Sequence, residues 1–188
     1  GLQLAGLPRL LLQPDLPALL AGVGELGVPR AELHPPNHRV DVLGEALQSL
    51  PLPLRSFGMR TRFAGLAVTF KCFEDNALIK STLADWPDAA GAVLVVDGGG
   101  SLRAALVGDV IAGIAVDRGW AGLVINGAVR DSVALNGLDI GIKALGTNPR
   151  KSGKTGAGQV DQPIEIGGVW VSPGRTVVSD EDGIVVLP

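Results

Sequence analysis

From Phe57 onward, short runs of β-branched and aliphatic residues alternate with segments whose apolar positions recur every three or four residues, the pattern of an α/β domain. The strand candidates are Leu66–Phe73, Ala92–Asp97, Gly122–Asn126, Gly141–Ala144, Val169–Ser172 and Ile184–Leu187. Between the first two, Asp75–Leu83 carries Leu78, Ile79 and Leu83 on one face at helical spacing and predicts an amphipathic helix. After Asp97 comes a turn at Gly98-Gly99-Gly100, and Leu102–Val107 then reads as a short apolar helix capped by Ser101 and ended by Gly108. A second helix is predicted over Val110–Arg118, with Asp109 as its cap and Gly119 as its stop. Toward the C-terminus the pattern becomes strand, turn, strand around Gly167-Gly168, Pro173-Gly174 and Asp180–Gly183. Together these predict a layered α/β fold with a partly antiparallel, barrel-like sheet, in preference to a wholly parallel dinucleotide-binding sheet.

Residues 1–54 read as a separate segment of short helices and loops, because Leu, Pro and Gly alternate there without a firm period and Pro35-Pro36 breaks any helix that crosses them. Residues 55–188 form the α/β domain. A hydrophobic content of 46%, with 19% charged residues, excludes wholesale disorder. The net charge of -3 argues against nucleic acid as a direct partner. The Leu-rich stretch Leu7–Leu20 is broken by Pro8, Arg9, Pro14, Asp15 and Pro17. It falls short of the ~20 apolar residues of a membrane span, so no membrane association is expected. A single cysteine, Cys72, excludes an internal disulfide and a cysteine zinc cluster and fits a cytoplasmic location.

Candidate chemistry is unevenly distributed. The glycine triplet lacks the last glycine of a dinucleotide fingerprint, where Arg103 stands, and is as consistent with a structural turn as with an anion site. Gly153-Lys154-Thr155 resembles the end of a phosphate loop, but Asn148 occupies the position of its first glycine. That segment, with Arg150 and Lys151, reads as a mobile basic loop; contact with an anionic substrate or partner is the alternative. His34 and His38 have the spacing of metal ligands on a helix that Pro35 and Pro36 preclude. The densest constellation is Asp109 at a helix start and Arg130-Asp131 after the apolar run Leu123–Ile125 and a turn at Gly127. A helix N-terminus offers backbone N–H groups to an anion, Arg130 can clamp a carboxylate through two hydrogen bonds, and Asp131 suits a hard divalent cation. The alternative is an Arg–Asp pair that caps the next short helix.

Several ordered blocks carry a more specific signal: Phe73-Glu74-Asp75-Asn76, Val96–Arg103, Gly108-Asp109, Gly127–Asp131, Asp139-Ile140-Gly141, Gly146–Ser152 and Ser179–Gly183. In these blocks the chain resembles the RraA-like family, which groups regulators of ribonuclease E activity with class II 4-hydroxy-4-methyl-2-oxoglutarate aldolases; older labels call some members menaquinone methyltransferases. The resemblance implies a three-layer β/β/α fold of the swivelling-domain type, assembled as a homotrimer with sites at subunit interfaces. It implies a metal-dependent carbon–carbon lyase acting on small 2-oxo acids, by aldol cleavage to pyruvate or by oxaloacetate decarboxylation, through a metal-stabilised pyruvate enolate. Catalytic members carry an Asp, twenty intervening residues and then Arg-Asp, a spacing that Asp109 and Arg130-Asp131 match. By this resemblance Gly108, Asp109, Val110, Ile111 and Arg130 bind substrate, Asp109 and Arg130 act in catalysis, and Asp131 carries Mg²⁺ or Mn²⁺. The other function the resemblance implies is non-catalytic binding and inhibition of ribonuclease E. Ala134 stands where some aldolases have an acidic residue, Met59 where many relatives have glycine, and no counterpart of the aldolases' acidic C-terminal extension follows the last strand, which favours decarboxylation over aldol cleavage.

Overall fold

The structure, a computed structural model, describes residues 48–187. The leading segment through residue 47, with His34, His38 and the Leu7–Leu20 stretch, lies outside the described residues. The chain forms β1 (Gln48–Ser49), β2 (Arg55–Phe57), β3 (Phe63–Lys71), α1 (Ala77–Asp85), β4 (Val93–Asp97), β5 (Ala105–Val107), α2 (Asp109–Asp117) and β6 (Gly122–Val129). It continues through α3 (Ser132–Leu135), β7 (Gly141–Thr147), β8 (Gln159–Val160), β9 (Ile164–Ile166), β10 (Val169–Val171), β11 (Thr176–Ser179) and β12 (Ile184–Val186).

One mixed sheet has the order β1-β12-β11-β3-β4-β6-β7-β2, with β5 beside β6 and β8 beside β3. Its centre, β3-β4-β6-β7, is parallel, and its flanks β2, β11 and β12 pair antiparallel. Strands buried on both faces explain the near-continuous apolar runs of β4 and β6. Alternation along β3 and β4 divides the core in two. Val68, Phe70, Leu94 and Val96 face α1 and α2 with Ile79, Leu83 and Trp120. Phe63, Ala67, Val93 and Val95 face the other way and meet Ile164, Val171, Val177, Ile184 and Val186. The sheet therefore curls, so that its antiparallel flank, together with the separate two-stranded sheet β9–β10, covers the second face of its own parallel centre. This half-barrel with flanking helices is the α/β architecture expected from the sequence.

Two contacts hold the curl. The Phe63 ring lies against Gly122 and Gly141, where an added Cβ would stand 2.2 Å and 2.0 Å from ring carbons. Buried Lys143 of β7 donates from Nζ to the Asp180 carbonyl in the β11–β12 turn, joining strands that are not neighbours in the sheet. On the helical side, Ile79 and Leu83 are fully buried and Trp120 Nε1–H donates to the Leu83 carbonyl at 3.1 Å. Truncating either aliphatic side chain to Ala costs about 2–5 kcal/mol.

The structure corrects three local expectations. The predicted helix Leu102–Val107 is instead a loop followed by β5, which lies parallel to the end of β6 and is buried at all three positions. A short, wholly apolar run carries no period that separates strand from helix, and pairing with β6 decides. Ser101 caps no helix: its hydroxyl donates to Glu74 Oε1 at 2.5 Å and accepts from Arg103 N–H at 3.2 Å. Nor does Gly127 make a turn, since β6 runs on to Val129 through an irregularity in its pairing with β7. That extension moves Arg130-Asp131 beyond the carboxyl end of the strand.

Candidate active site

Arg130 N–H donates to the Val107 carbonyl at 2.9 Å, so the ends of β5 and β6 lie together and Arg130 meets the start of α2. Asp131 takes a left-handed backbone, φ 56°, which Asp tolerates better than most side chains. It precedes α3 but forms no side-chain cap. Its Oδ2 turns back instead, 3.3 Å from Arg130 Nε and accepting weakly from Asp109 N–H at 3.4 Å. Gly108 makes this convergence possible, because a Cβ there would lie 2.5 Å from Asp131 Oδ2 and 2.9 Å from Arg130 Nε.

The helix contributes its own polarity. The α2 ladder begins with Ala112 N–H donating to the Gly108 carbonyl at 3.0 Å, which leaves the N–H groups of Asp109, Val110 and Ile111 outside it. Gly108, not Asp109, is the N-cap; Asp109 occupies the first turn and its Oδ1 accepts from Val110 N–H at 2.7 Å. The N–H of Ile111 belongs to no rung of the ladder, at a helix end whose field favours anions.

A cleft of about 400 Å³ opens here, bordered by Gly108, Val110, Ile111 and Arg130. Its remaining wall comes from Asn76, Ala77 and Lys80 at the start of α1, Ala105 of β5, and Lys151, Ser152 and Lys154. The sequence reading did not single out Lys80, whose place in an exposed helical turn carries no signal. Asp109 and Asp131 stand at the edge of this wall through their contacts with Val110, Arg130 and the Gly108 turn.

The segment Gly153-Lys154-Thr155, expected as a mobile loop, is tethered. Asp75, 4% exposed, accepts from Thr155 N–H, from Thr155 Oγ1–H at 2.8 Å, from Gly156 N–H at 3.2 Å and from Ala77 N–H at 3.1 Å. Burial alone would raise the Asp75 carboxyl, but these hydrogen bonds outweigh it and hold the group below the ordinary carboxylate range. One buried carboxylate thus joins the first turn of α1 to the basic segment. On the far side, Ser152 Oγ–H donates to the Ala105 carbonyl at 2.6 Å and Asn76 Nδ2–H to the Leu106 carbonyl at 3.0 Å.

The glycine triplet is a structural turn. Gly98 and Gly100 N–H donate to the Asn126 carbonyl, each at 3.1 Å, and Gly99 N–H to Asp97 Oδ1 at 3.0 Å. Burial pushes the Cys72 thiol up to about 12, which keeps it protonated and poorly nucleophilic at neutral pH. Among the described residues no three His, Cys, Asp or Glu side chains converge on a metal position. Asp131, with 36% of its side chain exposed and only long contacts to Arg130 and Asp109, offers a single hard carboxylate. That donor set fits Mg²⁺ or Mn²⁺ held through one carboxylate, waters and substrate oxygens, and does not fit an all-protein cage.

The sequence profile of the RraA-like family (Aldolase/RraA) matches residues 40–186. The chain belongs to the RraA-like family. It is similar to the RNA-processing inhibitor RraA from Thermus thermophilis, with 46% identity and a TM-score of 0.78 over 82% of this chain and 93% of that one. It is also similar to an S-adenosylmethionine: 2-dimethylmenaquinone methyltransferase from Geobacillus kaustophilus HTA426, with 44% identity and a TM-score of 0.79 over 82% and 94% of the two chains. An unusual member of the RNase ES inhibitor RraA family from Streptomyces coelicolor is 27% identical, with a TM-score of 0.64 over 89% and 78%. The RraA-like family includes both aldolases and RNase E inhibitors. Among the described residues of this RraA-like chain, no helix is long and apolar enough to cross a membrane.

Proposed function

We propose that the protein is a divalent-metal-dependent carbon–carbon lyase acting on pyruvoyl acids, by aldol cleavage of 4-hydroxy-4-methyl-2-oxoglutarate, decarboxylation of oxaloacetate, or both. The convergence of Arg130 and Asp131 on the N-terminal turn of α2, across Gly108, carries this reading. Arg130 binds the substrate's 1-carboxylate through its guanidinium, and the Ile111 N–H at the helix start orients the same end. Asp131 would hold Mg²⁺ or Mn²⁺, largely through waters, and the ion supplies Lewis-acid polarisation of the 2-oxo group. Asp109, anchored through Oδ1 by Val110 N–H, uses Oδ2 to position the water that carries a proton to or from the enolate carbon. Val110 and Val133, 65% and 90% exposed, flank these residues and supply apolar surface for the homotrimer that belongs to this reading.

The test is pyruvate release from both substrates, with Mg²⁺ and with EDTA, corrected for the metal-only background. Turnover that requires metal and exceeds that background supports the lyase; silence on both substrates contradicts it. A second reading, binding and inhibition of ribonuclease E, is favoured by the 46% identity to the Thermus inhibitor. It predicts slower ribonuclease E cleavage in the presence of the protein, with or without Arg130 and Asp131.

A further inference from the structure

Resting on the lyase reading, we propose that Lys80, Lys151 and Lys154 form a second anion subsite in the same cleft, which takes the distal carboxylate of a dicarboxylic 2-oxo acid while Arg130 holds the pyruvoyl end. The wall of the cleft contains four cationic side chains, and the carboxylates at its edge, Asp109 and Asp131, lie beside Arg130 and the α2 turn. Of these four only Arg130 has an acidic partner, Asp131; among the described residues Lys80, Lys151 and Lys154 enter no ion pair. Arg60, Arg62 and Arg103 are each matched by a carboxylate within 2.8 Å and, among the described residues, Arg55, Arg118, Arg150 and Arg175 are not; what sets the three lysines apart is that they border one cleft. Three unmatched ammonium groups around one concavity leave a positive field that an anion entering it would neutralise.

The lysines stand on a braced frame. Asp75 ties the α1 turn that leads to Lys80 to the Thr155-Gly156 backbone beside Lys154. Lys151 forms a parallel bridge with Ala105, and buried Ser152 donates to the carbonyl of the same residue at 2.6 Å. The frame's backbone is thus ordered before a ligand arrives, and binding has only the lysine side chains left to order. Arg130 and the α2 turn border the cleft from the far ends of β5 and β6, while the Lys151 frame is held at Ala105, the first residue of β5. A monocarboxylate such as pyruvate satisfies one of the two groups; a dicarboxylate satisfies both. The subsite is therefore a specificity device: it selects the longer, doubly charged acid and lets the singly charged product leave.

Isothermal titration of the full chain with pyruvate and with 2-oxoglutarate, in Mg²⁺ at low salt, tests this. Wild type is expected to bind 2-oxoglutarate about tenfold more tightly than pyruvate, a gap that narrows as salt is added. Lys154→Met and Lys80→Met each shrink the gap, and the variant lacking all three lysines loses it with pyruvate affinity unchanged. A gap absent from wild type, or undiminished in the triple variant, overturns the subsite. Parallel pyruvate-release assays separate the two claims. A lysine-dependent preference without turnover contradicts the lyase reading alone, turnover without the preference contradicts the subsite alone, and failure to bind either acid contradicts both.

Discussion

Gly108 is the position where one methyl group tests the site. Its backbone, φ -129° and ψ -172°, is extended and open to any residue, so Gly108→Ala introduces no torsional strain. Restricting the unfolded chain even favours Ala by about 0.4–1 kcal/mol. The new Cβ, however, would stand 2.5 Å from Asp131 Oδ2, against an ordinary contact of 3.4 Å or more. Relief requires Asp131 to move by about 0.9 Å, with Arg130 Nε, at 2.9 Å, yielding by about half an ångström. Asp131 Oδ2 is a side-chain terminus, whereas Arg130 Nε and Cγ, at 2.9 Å and 3.0 Å, shift only with the whole Arg130 side chain, so both groups of the site are displaced while no backbone is struck. Displacement of a positioning group by about 1 Å costs about 10²-fold in rate. The expected result is a melting temperature close to wild type and kcat/KM for pyruvate release reduced about 10²-fold, read in a lactate dehydrogenase-coupled assay. Wild-type kcat/KM in a folded Gly108→Ala protein would refute the claim that Arg130 and Asp131 act from these positions.

Other substitutions separate structure from chemistry. Arg130→Lys keeps the charge but not the fork that grips a carboxylate, and should raise KM for oxaloacetate at least about tenfold while leaving thermal stability unchanged. Asp75→Asn turns an acceptor into a donor facing Thr155 N–H and should cost about 1–3 kcal/mol, seen as a lower denaturation midpoint. Hydrogen bonds depress the Asp75 carboxyl in the fold despite its burial, so its contribution is complete above the unfolded-chain value of about 3.9 and is lost as pH falls through the lower folded value. The acid limb of the wild-type stability profile should therefore flatten in Asp75→Asn. Lys143→Met removes the bond that ties β7 to the β11–β12 turn and should lower stability by about 1–3 kcal/mol with turnover retained, checked by melting and rate on one sample.

The hydrophobic pattern shows the long central strands β3, β4, β6 and β7, together with β10 and β12, and misses the short strands β1, β2, β5, β8, β9 and β11. Residues 93–97 and 122–129 alternate between two apolar environments, and α1 shows a clear buried stripe. Local pattern fails where tertiary pairing decides. Ala105–Val107 is too short to display a period and becomes a strand only because the end of β6 lies beside it. Asp109, Arg130 and Asp131 stand out as polar residues at element ends, and the structure brings all three to one turn. Lys80 and the Asp75 tether do not stand out, because residues about 80 positions apart meet only in the folded chain. The left-handed backbone of Asp131 is equally silent in the sequence, and it governs how the site is best probed.

Asn tolerates that left-handed backbone about as well as Asp and removes the charge that would hold a cation, which makes Asp131→Asn the most direct probe of the lyase. The measurement is Mg²⁺-dependent pyruvate release from oxaloacetate by wild type and by Asp131→Asn at matched thermal stability. Loss of the metal-dependent rate in the variant, with wild type well above the metal-only background, is the predicted result. Equal rates in the two proteins would contradict the assignment of Asp131 to the metal, and with it the proposed chemistry.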